Sequence, residues 1–493
     1  MRALRRLAAL AGSAALLVAG ALGLNTARQG SLQPDAGPAP EAAWPGAAPG
    51  AVERLSRAVT FPTLSEPRDS PDPAPFHGLQ AFIRQAYPAV HAQLEVERVA
   101  GLSLLYTWRG ADAALPPVVL LGHLDVVPAP QTAGWRHASF GGDVIDGFVW
   151  GRGTLDDKGG VLATLEAVEL LLAERFRPRR TVYLAFGHDE ESSGRGARAI
   201  VRRLQGRGVN DLALVLDEGG AILPGALIPG IDRPVALIGI AEKRSIDLEL
   251  TVRAAGGHSS APPPETAIGL LSRAIAALEA SPPPPRLDGA TAATFRHLAP
   301  EMPLASRVVF ANPWLFGPLV TRVLAATPRT AAIVRTTLAP TVFDAGVRFN
   351  VLPALARAVV NAQLLPGDTV ETVVDHVRRV IGDERVEIRA EAAPLPAGVG
   401  LSGTGTPAFD LLARTVRETY GGSGVLVAPY LTIAAVDARW YAPLTPNVYR
   451  FRGMPWEADA TERVHGANER VAVEAYLDGI RFVYRLLRNA DDL

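Results

Sequence analysis

An α/β fold with a second, smaller domain inserted into it is predicted by three features of this sequence. Short apolar runs alternate with longer helical patterns from Leu55 onward, three of those runs end in ionisable residues, and the strand character changes after Lys243. A chain of 493 residues with 48% hydrophobic content has room for several domains, at roughly 100–200 residues each.

Taken in order, the chain begins with Arg2, Arg5 and Arg6 ahead of an uncharged stretch from Leu7 to Leu24. That is the layout of a basic region followed by the apolar core of an export signal. Ala19-Gly20-Ala21 offers a small-residue cleavage site, yet the stretch also approaches the length of a spanning helix. Residues 1–24 therefore read as a signal peptide or a membrane anchor, and either reading exports the bulk of the chain to a periplasmic or other extracytoplasmic space. Residues 25–50, rich in Pro, Ala and Gly, read as a linker.

Residues 51–244 form the first part of the main domain. Its key runs are Pro117 to Leu121, Thr181 to Phe186 and Leu212 to Leu216, each short and apolar enough for a buried strand. His123 and Asp125 follow the first, His188 to Glu191 the second, and Asp217 with Glu218 the third. Ligands of open α/β sheets bind outside the carboxyl ends of the strands, so these groups predict a site at one edge. Between the first two runs, GRGTLDDKGG at Gly151 to Gly160 opens a helical pattern through Leu162, Leu165, Val168 and Leu172.

Beyond Lys243, Ile246 to Val252 alternates apolar and polar residues like a half-exposed strand. A second domain over residues 245–392 would add a helix near Ile268 to Leu278, a Pro-rich insertion around Pro282 to Pro285, and an alternating strand at Ala358 to Leu364. Residues 393–493 would then complete the first domain.

Composition narrows the chemistry. With 49 basic and 50 acidic residues and no long run of one sign, there is no electrostatic footprint for nucleic acid. Cysteine is absent, which excludes disulfides, thiolate catalysis and thiolate-bound metal. Any metal must sit on His, Asp or Glu.

Those residue types are arranged for such a role. His123 and Asp125 lie two apart, on one face of an extended segment, so a carboxylate can orient a metal-bound imidazole. Asp156 sits in a glycine-flanked turn, where both oxygens can face two ions. Glu190 and Glu191 are adjacent and point apart, so one can ligate while the other handles protons. His465 supplies an isolated imidazole before the final helix. Asp156, Glu191 and one member of the Asp217-Glu218 pair bring about three negative charges which, with a bridging hydroxide, balance two Zn²⁺; without metal they would repel and take up protons. Imidazole and carboxylate without thiolate suit hydrolytic zinc, with cobalt or manganese as substitutes. Taken singly these are ordinary turn and helix-start residues. Jointly, that reading does not explain their delivery to one end of three strands.

The motifs resemble a known family. HLDVVP, GRGTLDDKGG, HDEESSGRGA, LDEGG, EKRSIDLELTV, GGHSSAPPP, NVLP, LLPGDT, VDARWY and HGANER run in the order found in the di-zinc metallopeptidases that include carboxypeptidase S, aminoacylase-1 and the glutamate carboxypeptidases. LDEGG, VAPYL, NVYRF and HGANER are most similar to the branch of carboxypeptidase S and the N-fatty-acyl-amino-acid synthase/hydrolase. The resemblance covers Leu55 to the C-terminus. It implies a mixed-sheet catalytic domain with an inserted α+β domain that serves as lid or dimerisation element, and so a possible homodimer.

It also implies roles. His123 would bind one zinc and His465 the other, with Asp156 bridging them through a cis peptide to Asp157. Glu191 would complete one shell, and the third carboxylate would fall at Asp217 or Glu218, with Asp217 favoured. Glu190 would be general base for a metal-activated water. His258 of GGHSS would stabilise the oxyanion, Asn350 of NVLP would be its companion donor, and Arg439 of VDAR would anchor a substrate carboxylate through its planar fork. The implied reaction is hydrolysis of a C-terminal peptide bond or of the amide of an N-acyl amino acid. Alternatives are the reverse condensation of an N-fatty-acyl amino acid, or an inactive binding domain on the same fold. The sequence departs from the family at Gln363, where arginine is common, at Arg244, and at Ala434-Ala435.

Overall fold

The computed structural model describes residues 2–33, 44–66, 71–391 and 399–493. Residues 34–43 of the expected linker and the expected domain boundary at 392–393 lie outside the described residues.

The three apolar runs become Val118–His123, Val182–Gly187 and Leu214–Asp217, neighbours and mutually parallel at the centre of a mixed nine-stranded sheet. A parallel centre needs cover on both faces, and the alternation of side chains supplies it. Val118, Leu120, Leu184 and Phe186 share a core with the helix Lys158–Ala173, whereas Val119, Leu121, Tyr183 and Ala185 pack with the helix Arg195–Gly206 on the other face. All three strands therefore end at one edge of the sheet, beside the cis peptide Asp156-Asp157.

The second unit is a four-stranded antiparallel sheet in the order Thr337–Ala345, Leu355–Leu364, Arg244–Arg253, Val386–Glu391. Ile246, Leu248, Leu250 and Val252 are buried under the helices Ala267–Ala280 and Val370–Ile381, while Ser245, Asp247 and Arg253 are exposed. At the join between the two units stands Lys243. Its buried ammonium donates to the carbonyls of Ala332 and Arg335 at 3.1 and 3.0 Å and to Thr337 Oγ1 at 3.2 Å.

The Pro-rich insertion opens a larger excursion than its sequence announced. The helices Gly289–Leu298, Leu304–Ala311, Pro313–Leu324 and Pro328–Ala331 follow it, and the first of them lies against the outer strand Leu426–Thr432 of the main sheet. Thr294 Oγ1 donates to the carbonyl of Pro429 at 2.7 Å, and Leu298 and Met302 share a small core with Leu426 and Ala428. Part of the excursion thus covers an edge strand of the main sheet, a position that otherwise invites association.

The N-terminal stretch forms the helix Arg2–Arg28. Among the described residues no helix is long and apolar enough to cross a membrane. The residues just after the stretch, expected to belong to no fold, are packed. Asn25 Nδ2 donates to Asn312 Oδ1 at 2.9 Å, and the Gln33 amide copies a strand, accepting from Val427 N at 2.7 Å and donating to Val427 O at 3.0 Å. A side-chain amide carries the same donor and acceptor as a peptide, so it can complete the open edge.

Candidate metal centre

His123 ends its strand fully buried, with Nδ1 3.0 Å from the carbonyl oxygen of Asp125. A carbonyl can only accept, so Nδ1 donates there and Nε2 is the nitrogen turned toward the carboxylates, the one a cation would take. Nε2 lies 2.8 Å from Asp156 Oδ1 and 3.7 Å from Glu218 Oε1. The other oxygen of Asp156, Oδ2, lies 3.1 Å from His465 Nε2, which is itself 2.9 Å from Glu191 Oε2. Asp156 thus turns one oxygen to each imidazole, the geometry of a bridge.

Two donor groups result. His123, Asp156 and Glu191 form one and His123, Glu190 and Glu218 the other, with the ligand atoms of each group within 4.8 Å of one another. The adjacent glutamates face different neighbours, Glu191 toward His465 and Glu190 toward Glu218. Nitrogen and oxygen donors in this mixture fit a borderline divalent cation, and Glu191 Oε1, buried without a hydrogen-bond partner, is an oxygen such a cation would satisfy.

The electrostatics carry the same signature. Burial, reinforced by neighbouring acids, pushes Glu190 and Glu218 well above the ordinary carboxylate range, and burial beside Asp156 raises Glu191. Hydrogen bonds donated to the Asp156 and Glu191 carboxylates raise His465 to about 10. At His123 burial opposes protonation, but Asp125 and Asp156 outweigh it. Asp156 goes the other way: burial would raise it, yet the two imidazoles hold it far below its usual value. A protonated imidazole between two carboxylates does the neutralising work that a cation would do.

The sequence profile of Peptidase family M20/M25/M40 matches residues 119–489. The chain belongs to this family. It is 40% identical over 445 residues to the probable carboxypeptidase S-like 2 of Dictyostelium discoideum, covering 89% of this chain and 85% of that protein. It is also 40% identical over 442 residues to the N-fatty-acyl-amino acid synthase/hydrolase PM20D1 of Homo sapiens, covering 89% and 87%. Among solved structures, the M20 family metallo-carboxypeptidase Sso-CP2 from Sulfolobus solfataricus is similar in fold, with a TM-score of 0.63 at 17% identity, covering 90% of this chain and 99% of that one. As an M20 protein the chain is a hydrolase of metallopeptidase type.

Not every expected residue joins the M20 centre. Asp217, favoured above as the third carboxylate, accepts the amides of Glu218 at 2.9 Å and Ala438 at 2.7 Å, so its oxygens are held by backbone and Glu218 takes the place in the cluster. Asp125 does more than face His123. Its carboxylate, 3.4 Å from Nδ1, accepts from Ser65 Oγ at 2.5 Å and from the amides of Glu190 and Glu191 at 3.2 and 3.1 Å, tying the two glutamates to the histidine. Arg439 is already engaged within the chain. It stacks 5.0 Å over Trp440, donates to Val436 O at 3.0 Å and lies 3.8 Å from Glu242.

His258 and Asn350 lie on the inserted domain, both exposed, on a two-stranded ribbon where Ser259 N donates to Asn350 O at 3.2 Å. His258 Nδ1 accepts from Ser260 N at 3.1 Å, which leaves the proton on an outward-facing Nε2. Neither residue joins the two donor groups.

Other residues escaped the sequence reading. Glu469, four residues after His465 in HGANER, takes the amides of Gly153, Leu155 and Asp156 at 3.0, 2.8 and 3.2 Å and pairs with Arg152, so it moulds the turn that presents Asp156. Burial pushes it up to about 7 against the pull of Arg152. Arg452 clamps Asp157, donating to Oδ1 at 2.7 Å and to Leu121 O at 2.9 Å beneath His123. Asp437, buried with neither oxygen hydrogen-bonded, is pushed up to about 8 by burial, and sits against Gly187, where a Cβ would lie 2.7 Å from it. Gly153, at φ 93°, marks the turn in GRG where a side chain would be strained.

Proposed function

We propose that the chain hydrolyses a peptide or N-acyl amide bond next to a free carboxylate, with two divalent ions, zinc in this reading, held by His123, Asp156, Glu191, Glu218 and His465. What supports this most is the meeting of His123 and His465 on opposite oxygens of Asp156, with Glu190 alongside. When bound, such ions polarise the amide carbonyl and make a water acidic enough to be deprotonated at neutral pH.

The chain's own groups supply the rest. Glu190 takes a proton from the attacking water and passes it to the leaving nitrogen, so that one water is consumed and a carboxylic acid and an amine are released. A carboxyl group whose neighbourhood raises its proton affinity suits both halves of that transfer. The outward Nε2–H of His258 is the donor assigned to the oxyanion, with Asn350 beside it, and the inserted domain brings them over the centre. Asp125 and Glu469 position the groups that react.

The exposed edge strand Thr337–Ala345, with Val342 and Phe343 uncovered, supports pairing of two copies through the inserted domain. The basic and apolar N-terminal pattern supports export.

The test is a paired assay of the metal-loaded enzyme on a dipeptide series and on a long-chain N-acyl amino acid series. Release of free amine from either series, abolished by a chelator and restored by zinc, meets the proposal. No turnover of either by protein carrying its full metal sends the reading back to a binding domain.

A further inference from the structure

A cleft of about 390 Å³ lies between the helix Gly289–Leu298, the pair Leu304–Ala311 and Pro313–Leu324, and the segment that follows the N-terminal helix. It is within the size range of small-molecule sites, roughly 300–1,000 Å³. None of the metal-centre residues lines it. Its walls are largely apolar: Phe295 and Phe310 stack with centroids 4.4 Å apart and planes within 7°, and Val309 and Val320 stand near them.

Two polar groups interrupt that lining. Oε1 of Gln29 is buried with no hydrogen-bond partner, an acceptor that gains when a donor arrives. Arg296 is exposed at the cleft and, among the described residues, has no ion-pair or hydrogen-bond partner. An apolar wall, a lone acceptor and a lone cation together define a ligand with three parts.

We propose that this cleft binds a single-chain amphiphile in which an acyl tail ends in an amide and a carboxylate, an N-acyl amino acid. The tail lies on the Phe295–Phe310 wall, the amide N–H donates to Gln29 Oε1, and the carboxylate pairs with Arg296. A fatty acid would leave Gln29 without a donor, and a phospholipid would bring a second tail. The ligand class agrees with one branch of the proposed substrates, but the cleft is a separate binding site and does not depend on turnover.

The test is isothermal titration of the full metal-loaded chain with dodecanesulfonylglycine, which keeps the N–H and the carboxylate and resists hydrolysis. Two variants interrogate the cleft. Gly317→Trp fills it from a helical position where an added Cβ meets nothing within 4 Å, and Arg296→Glu reverses the exposed charge. The expected result is one binding equivalent lost in Gly317→Trp, and affinity at that site weakened about tenfold or more in Arg296→Glu. Hydrolysis of a short N-acetyl amino acid stays at the wild-type rate in both. Identical stoichiometry and affinity in wild type and both variants overturns the proposal. A chain with no hydrolytic activity that still shows the lost equivalent would refute the proposed function and leave this site standing.

Discussion

His465 Nε2 lies 2.9 Å from Oε2 of Glu191, joining the C-terminal HGANER segment to the loop after the strand Val182–Gly187. The same nitrogen is 3.1 Å from Asp156 Oδ2, so one imidazole touches two carboxylates of the cluster. His465→Ala should remove one of two bound divalent ions while the fold persists, because His465 is half exposed and supports no core. Metal quantification on purified variant and wild type checks this, and an unchanged metal content counts against His465 as a ligand.

Glu190 faces Glu218 whereas Glu191 faces His465, and the proposed function gives the base role to Glu190. Glu190→Gln keeps the shape and removes the base. Turnover should fall by about 10²–10⁴-fold with KM and metal content near wild type. Steady-state kinetics with metal analysis on the same sample decide it, and wild-type turnover would end the assignment.

Metal removal should be felt most at higher pH. In the metal-free chain Glu190 and Glu218 have affinities for protons well above the ordinary value of 4.5. A carboxyl raised on folding contributes stability below its unfolded pKa and loses it as pH rises through the folded one. The gap in melting temperature between metal-loaded and chelated protein should therefore widen as pH increases. A gap that narrows toward alkaline pH would contradict the account of these two acids.

Lys243 gives the opposite slope. Burial lowers it from 10.5 to about 8, so its contribution to stability is complete above 10.5 and declines as pH falls toward about 8. Against Lys243→Met, which cannot titrate, wild type should gain relative stability across that window. Thermal melts of the two proteins at both ends measure it, and parallel curves would show that the amine is not desolvated at the hinge.

Much of the centre was legible because its residues sit where strand ends and tight turns force them. Three apolar runs that must be buried on both faces become adjacent parallel strands, and their ends then converge without further information. The choice between Asp217 and Glu218 was not legible. Successive side chains alternate in direction, and which one faces the site depends on the amide of Ala438, contributed from far along the chain. Glu469 was invisible for a related reason: a carboxylate that serves three backbone amides of another loop has no spacing pattern to betray it. The contacts of the Arg439 guanidinium with Glu242 and Trp440 were not legible either, because its motif does not record them. The four helices after Pro285 were missed because Leu304, Trp314, Leu319 and Val323 remain exposed, which blurs the periodicity a buried helix would show.

Asp156 offers the most direct test of the account, since one of its oxygens faces each imidazole. Metal per chain should be measured in wild type and in Asp156→Ala after identical zinc loading and removal of free ion. The account predicts two zinc ions in wild type and loss of both, with activity, in the variant. Two tightly held ions in Asp156→Ala, or none in the wild type, would contradict it.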